Sequence, residues 1–209
     1  MQLKNFLLII MAFSFFGCNS KNENPKNTET PETKDTSAIA AKNINPDAVP
    51  DISPMDMIYF PVDYPKLKMT RSVSLPPVMR IIYSRPHLQG RKLFYNLQKL
   101  GDYWRLGANE ATEIEFFKNV TIQNKKIKQG RYVIYCIPQQ DQWTLFLNSN
   151  IDSWGLTQDS TKNLQQFIIP VTYKNPFAEY FTMNFEKTNS GATLVMSWED
   201  VVAKLPIDF

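Results

Sequence analysis

Beyond Ile52, apolar residues recur at every second position in brief runs divided by turn residues. Thr112–Lys118 places Thr112, Ile114 and Phe116 on one face and Glu113 and Glu115 on the other, the alternation of a half-buried strand. Val78–Ser84 stops at Arg85-Pro86, and Val120-Thr121-Ile122 is shorter. Tyr132–Ile137 is apolar on both faces, which predicts a central strand covered on both sides. Trp143, Leu145 and Leu147 fall together in Trp143–Asn148, as do Ala192, Leu194, Met196 and Trp198 in Ala192–Trp198. Gln165–Val171, Tyr180–Phe185 and Val202–Ile207 complete the set. About nine short strands at this spacing predict an all-β fold, an antiparallel β-sandwich or a jelly-roll-like barrel. Helices are expected to be very short: Gln89–Leu100, bounded by Gly90 and Gly101, has room for one or two turns.

The first fifty residues follow another rule. Lys4 precedes Phe6–Phe16, an uncharged apolar run broken only by Ser14. It is too short to cross a hydrocarbon layer of about 30 Å, yet it suits the apolar region of an export signal. Gly17 then supplies the small residue before Cys18. The expectation is a lipoprotein signal peptide over 1–17 and a lipidated Cys18. More than one acyl chain there holds a protein stably, whereas a single chain does not. The membrane is thus an expected partner, through the anchor at Cys18. The expected location is the cell envelope: the outer membrane, facing the periplasm or the surface. Residues 18–50 lack aromatics after the cysteine and are rich in Asn, Thr, Lys, Glu and Pro, too little apolar surface to offset the entropy of ordering. They read as a disordered linker with a reach of roughly 30 Å, about 100 Å at full stretch. Residues 51–209 make the β-domain.

Composition narrows the partners. Aromatic residues make up 13% of the chain and the formal net charge is only +3, so the part beyond the linker has the makings of a core. That charge does not make the basic stripe a nucleic-acid binder shows, and no nucleic acid is expected. Lys125, Lys126 and Lys128 read as a solvated hairpin turn. With Cys18 acylated, Cys136 is unpaired, and its apolar surroundings predict a buried, inert thiol.

Several strings are more specific. Tyr83-Ser84-Arg85-Pro86, Gly90-Arg91-Lys92 and the unbroken Trp104-Arg105-Leu106-Gly107-Ala108-Asn109-Glu110-Ala111-Thr112 come first. Gly130-Arg131-Tyr132, Ile137-Pro138, Trp143–Asn148, Trp154-Gly155 and Trp198-Glu199 follow. Together they resemble the domain of unknown function 2911 family over nearly all of Val73–Phe209. The resemblance implies an exported β-rich domain and carries no activity. Tyr95 stands where that family tends to have glycine, and a positive-φ turn disfavours tyrosine, so the loop there is expected to differ.

One polar cluster is a candidate site: Arg85, His87, Arg91, Arg105, Asn109 and Glu110, with Tyr103 and Trp104 among them. Arginine binds carboxylates and phosphates in a bidentate way, and a tryptophan face stacks on flat apolar surfaces. The ligand-binding reading assigns Arg91 and Arg105 as anion forks and Asn109 as an amide reader, with Trp104, Glu110 and His87 in the same cleft. The structural reading makes Arg105 and Glu110 a buried pair pinning a crossover loop, with Asn109 capping its backbone. No catalytic residue is assigned. His87, the single histidine, would have to serve any His-dependent hydrolase, and the chain has no Gly-x-Ser-x-Gly elbow. One His and one available Cys do not make a zinc site. Asn148, Asn150 and Asp152 alternate as calcium ligands do, but suit an ordinary polar turn. Glu113 and Glu115 suit a solvated strand face better than a glycosidase pair. Neither cofactor nor metal is expected. The leading functional reading is a non-catalytic binding or accessory domain contacting a small ligand, glycan or envelope protein. The alternatives are an enzyme acting on a periplasmic or extracellular substrate through the Arg/Asn/Glu cluster, and a purely structural envelope protein.

Overall fold

Alternation along the chain becomes a single curved sheet in the computed structural model, which describes residues 51–209. The expected signal peptide, Cys18 and the linker lie outside the described residues. The strands are β1 (Met55–Phe60), β2 (Met79–Ser84), β3 (Glu113–Phe116), β4 (Val120–Ile122), β5 (Lys125–Ile127), β6 (Gly130–Pro138), β7 (Gln142–Asn148), β8 (Asn163–Thr172), β9 (Ala178–Lys187), β10 (Gly191–Glu199) and β11 (Val201–Asp208). All pairings are antiparallel, in the order β1-β2-β3-β6-β7-β8-β11-β10-β9, with β4 against β11 and β5. Among the described residues, helical structure is confined to α1 (Tyr64–Met69), a π-turn over Leu93–Leu97 and a 3₁₀ turn over Ser160–Lys162. The fold is therefore all-β, and the sheet nearly closes into a barrel.

Closure runs through the chain beyond β2. His87 pairs with Tyr180 of β9. Phe181 N–H donates to the Pro86 carbonyl at 2.8 Å, and Leu88 N–H to that of Glu179 at 3.1 Å. Two side chains reinforce this seam. Tyr83 Oη accepts from Met183 N–H at 2.9 Å. Arg85 donates through Nη2 to Thr182 Oγ1 at 2.9 Å and through Nε to the Phe181 carbonyl at 3.3 Å.

Inward positions fill the barrel. Ile114 and Phe116, Trp143, Leu145 and Leu147, and Ala192, Leu194, Met196 and Trp198 are all buried, as their two-residue period requires. β6 is buried on both faces at Val133, Ile134, Tyr135 and Cys136. Ile134 and Cys136 point into the core. Tyr135 stacks on Phe146 and meets Tyr103 outside it.

Three details go beyond these expectations. β1 was not anticipated: its apolar Met55 and Met57 are exposed, while Asp56 pairs with Arg85, just beyond the end of the neighbouring β2. Lys125 and Lys126 lie in β5, and the turn itself is Gln123-Asn124, both with positive φ. Tyr95 falls in the π-turn, with its ring exposed to solvent.

Candidate binding cleft

Between β2 and β3 the chain makes a long excursion, from Arg85 to Thr112. It cannot float free, because its backbone groups must be paired. Trp104 forms a two-bond bridge with Cys136, its N–H and carbonyl each 2.9 Å from their partners. It thereby takes up the β6 edge beyond the end of β3. This drives the Trp104 ring into the barrel against Trp143, Phe181 and Trp198. The next residues turn sharply, with positive φ at Leu106 and Asn109. Thr112 Oγ1 donates to the Leu106 carbonyl at 2.7 Å and is fully buried.

A second excursion, between β7 and β8, meets the first. Asn148, also fully buried, organises it: Nδ2 donates to the Asp159 carbonyl and to Asn163 Oδ1, and Oδ1 accepts from Asn150 N–H at 2.7 Å. Gly155 lies so close to Ala111 that an added Cβ would fall 2.9 Å from the Ala111 Cα, and its φ is +79°. Both facts require glycine in the Trp154-Gly155 string.

Where the two excursions meet, an open cleft of about 280 Å³ is lined by Pro86, Leu97, Gln98, Tyr103, Trp104, Arg105, Gly107, Gly155, Leu156 and Trp198. Its indoles are stacked, with Trp104 and Trp198 ring centroids 5.7 Å apart at 25°. Only their margins are accessible, since both are buried. Tyr103 Oη donates to the Gly155 carbonyl at 2.9 Å and accepts from Gln158 Nε2 at 2.7 Å. Burial pushes its hydroxyl up to about 12, so it stays neutral. Gln158 Oε1 is buried without a hydrogen-bond partner among the described residues. Arg105 donates through Nη1 to the Asn109 carbonyl and, at 3.4 Å, to that of Trp154. Its Nε and Nη2 groups make no bond among the described residues.

Of the residues expected at a site, Trp104 and Arg105 line this cleft. Asn109 instead donates from Nδ2 to Asp51 Oδ2 at 2.6 Å. Glu110 is exposed beside a separate hollow with Met55, Ile82 and Asp152. The expected Arg105–Glu110 buried pair does not form: Arg105 is partly exposed and pins its loop through carbonyls. Arg91 ties its own turn, with Nε 2.8 Å from the Leu88 carbonyl and Nη2 3.0 Å from that of His87. His87 stacks on Tyr180 at 4.9 Å and 6°, and its Nδ1 is 3.9 Å from Glu179 Oε1. Gln98 joins the lining from the end of the π-turn, and Leu156 and Trp198 from distant segments that share no local motif.

The remaining candidates have structural neighbours. Glu115 pairs with Arg80 at 2.7 Å and Glu113 with Arg131 at 3.2 Å, on the outer face of the sheet. Asn150 and Asp152 follow Asn148 in a polar turn. There Asp152 N–H donates to Glu113 Oε1 at 3.0 Å. Among the described residues no group of three His, Cys, Asp or Glu side chains is placed to hold a metal ion. Cys136 is unpaired and fully buried, and desolvation raises its thiol well above the ordinary range. No helix among them is long and apolar enough to cross a membrane.

A family model described as a protein of unknown function (DUF2911) matches residues 65–207. No curated protein and no solved structure matches the chain.

Proposed function

We propose, from the premise that the chain belongs to the DUF2911 family, that its β-barrel is a non-catalytic binding domain which seats a small ligand in the cleft at Tyr103–Arg105. The observation that carries this reading is the Arg105 guanidinium, with Nη1 holding the loop while Nε and Nη2 have no partner among the described residues, beside two stacked indoles. Such a group favours a compact molecule with an apolar face and a carboxylate or other oxygen-rich edge. A hydrolytic reading is less well supported. The Tyr103 hydroxyl, held neutral, already donates to Gly155, and the His87 ring is stacked on Tyr180. We propose further that a lipid on Cys18 anchors the domain in the cell envelope. The Lys4, Phe6–Phe16 and Gly17-Cys18 pattern supports this, and the mass of the mature N-terminal peptide tests it.

A purely structural role has one observation in its favour. The bonds from Arg105 to the Asn109 and Trp154 carbonyls join the two excursions. Two variants separate the readings. Leu156→Trp fills the cleft mouth from an exposed position without touching the Arg105 bonds. Arg105→Ala removes both the fork and the pin. With glucuronate and benzoate as probes, the binding reading expects perturbed Trp104 and Trp198 indole signals in NMR. Leu156→Trp should abolish that response at unchanged melting temperature. If neither probe shifts the signals and Arg105→Ala only lowers the melting temperature, the structural role stands instead.

A further inference from the structure

Between β1 and β2 the chain makes an excursion that contributes little to the core. Not one of the six residues of α1 is buried. A single helical turn is marginal in water on its own account, and most helices in proteins persist by burying an apolar face. Here several apolar side chains are instead exposed to solvent. Val62 is 62% exposed, Met69 79% and Leu75 71%. Alongside them, Met57, Tyr59, Tyr64, Pro65, Lys68 and Met69 line a shallow open groove of about 480 Å³ on the outer face of β1. Tyr59 and Tyr64 meet across it at 5.4 Å.

The charge on this surface has one sign in excess. Lys66, Lys68 and Arg71 are exposed in the excursion, and Lys187 borders the adjoining hollow at Phe60–Pro65. Asp63 is the one acid between Phe60 and Val78. Asp56 is engaged by Arg85, and Glu186 by Lys204.

We propose that this corner, α1 with the flanking Pro61–Pro77 chain and the outer face of β1, docks on an anionic lipid surface. Protruding single apolar tips suit insertion among headgroups rather than packing into a protein pocket. Flexible lysines that keep their ammonium groups in water while their stems lie on apolar material behave in the same way. Tyrosine prefers the membrane–water boundary. Protein interfaces select differently, since lysine is depleted in them and their apolar residues form a packed central patch. The surface does not depend on acylation of Cys18 or on the cleft, so either can fail without it.

Residues 51–209 suit the experiment, because within that stretch the strands pair with one another around a shared core. This fragment is sedimented with vesicles of phosphatidylcholine alone and with vesicles containing about one part in three phosphatidylglycerol. Binding is expected on the anionic vesicles and not on the neutral ones. It should weaken with added salt and fall roughly fivefold for each lysine reversed in Lys66→Glu and Lys68→Glu. Met69→Ser with Leu75→Ser, which changes only exposed side chains, should also release the protein at unchanged circular dichroism. Equal binding to both vesicle types would overturn the proposal, as would retention by the charge-reversed variant. So would failure to bind either vesicle, with self-association through this corner then assigning it to a protein partner.

Discussion

Tyr83 and Tyr103 each keep their phenol proton further into alkaline pH than a solvated tyrosine does. Burial is the chief cause in both, and it pushes both hydroxyls from an ordinary 10.0 up to about 12. Tyr103 is also hydrogen-bonded through Gln158 and Gly155. The sign of the linked stability follows from proton counting. Below pH 10 both phenols are protonated in the folded and unfolded chains, and their preference for the folded environment is fully present. Between about 10 and 12 the unfolded chain loses these protons while the folded chain keeps them. Unfolding is then favoured as pH rises, and the stability is lost through that window. The expected outcome is a urea midpoint that falls above pH 10, with phenolate absorbance of part of the tyrosine set appearing only as the protein unfolds. Tyr103→Phe should show a shallower alkaline fall, while losing about 1 kcal/mol at neutral pH from the Gly155 and Gln158 bonds. An unchanged alkaline limb in that variant would show that Tyr103 is not one of the late-titrating groups.

At the scale of elements, strands were legible where apolar residues either alternate or, as in β6, run unbroken. β3, β7, β10 and β11 each send alternate residues into the barrel, so the periodicity of Ile114/Phe116 or Leu194/Met196 states both strand and face. β1 escaped because its pattern is inverted, with Met55 and Met57 exposed and Asp56 turned to Arg85. β5 escaped because Lys125 and Lys126 carry no apolar signal and only Ile127 is buried. The cleft was legible only where one string carries it. Trp104 and Arg105 come from the long motif, whereas Leu97, Leu156 and Trp198 arrive through tertiary closure. The Arg105–Glu110 pairing failed because the positive-φ residues Leu106 and Asn109 turn the loop and leave Glu110 exposed. The β4–β5 hairpin yields a test of its own. Its two-residue turn has φ of 47° at Gln123 and 62° at Asn124, the conformation of a turn in which glycine is favoured at the second position. An L-residue there costs roughly 1–2 kcal/mol, less for asparagine. Asn124→Gly is therefore expected to raise stability by about 0.5 kcal/mol after the extra unfolded-state freedom of glycine is subtracted. Calorimetry should register an increase of a degree or two. A lower melting temperature would mean that Asn124 makes a compensating contact in the turn.

For the molecule as a whole, the seam between β9 and the chain beyond β2 separates a nearly closed barrel from an open sheet. Most neighbouring strands are joined by ladders several residues long, as between β10 and β11, although β8 and β11 share only two pairs. Here a single bridge, His87 with Tyr180, is supplemented by side chains of Tyr83 and Arg85. The seam also borders the cleft, since Pro86 lines one wall and the Phe181 and Trp198 rings pack beneath Trp104. Local opening of the barrel at this line would thus loosen the cleft before the core. Tyr83→Phe isolates the effect. It keeps the ring against Phe181, where the centroids are 5.8 Å apart, and removes only the oxygen that accepts from the buried Met183 amide. Leaving that amide unpaired costs about 1–3 kcal/mol. Amide exchange should show the loss unevenly, with the protons of Leu88, Phe181 and Met183 exchanging faster by a larger factor than those of Ile134 or Leu145 in β6 and β7. A uniform acceleration at all five would mean that the seam opens only with the whole barrel, and that the cleft is as rigid as the core beneath it.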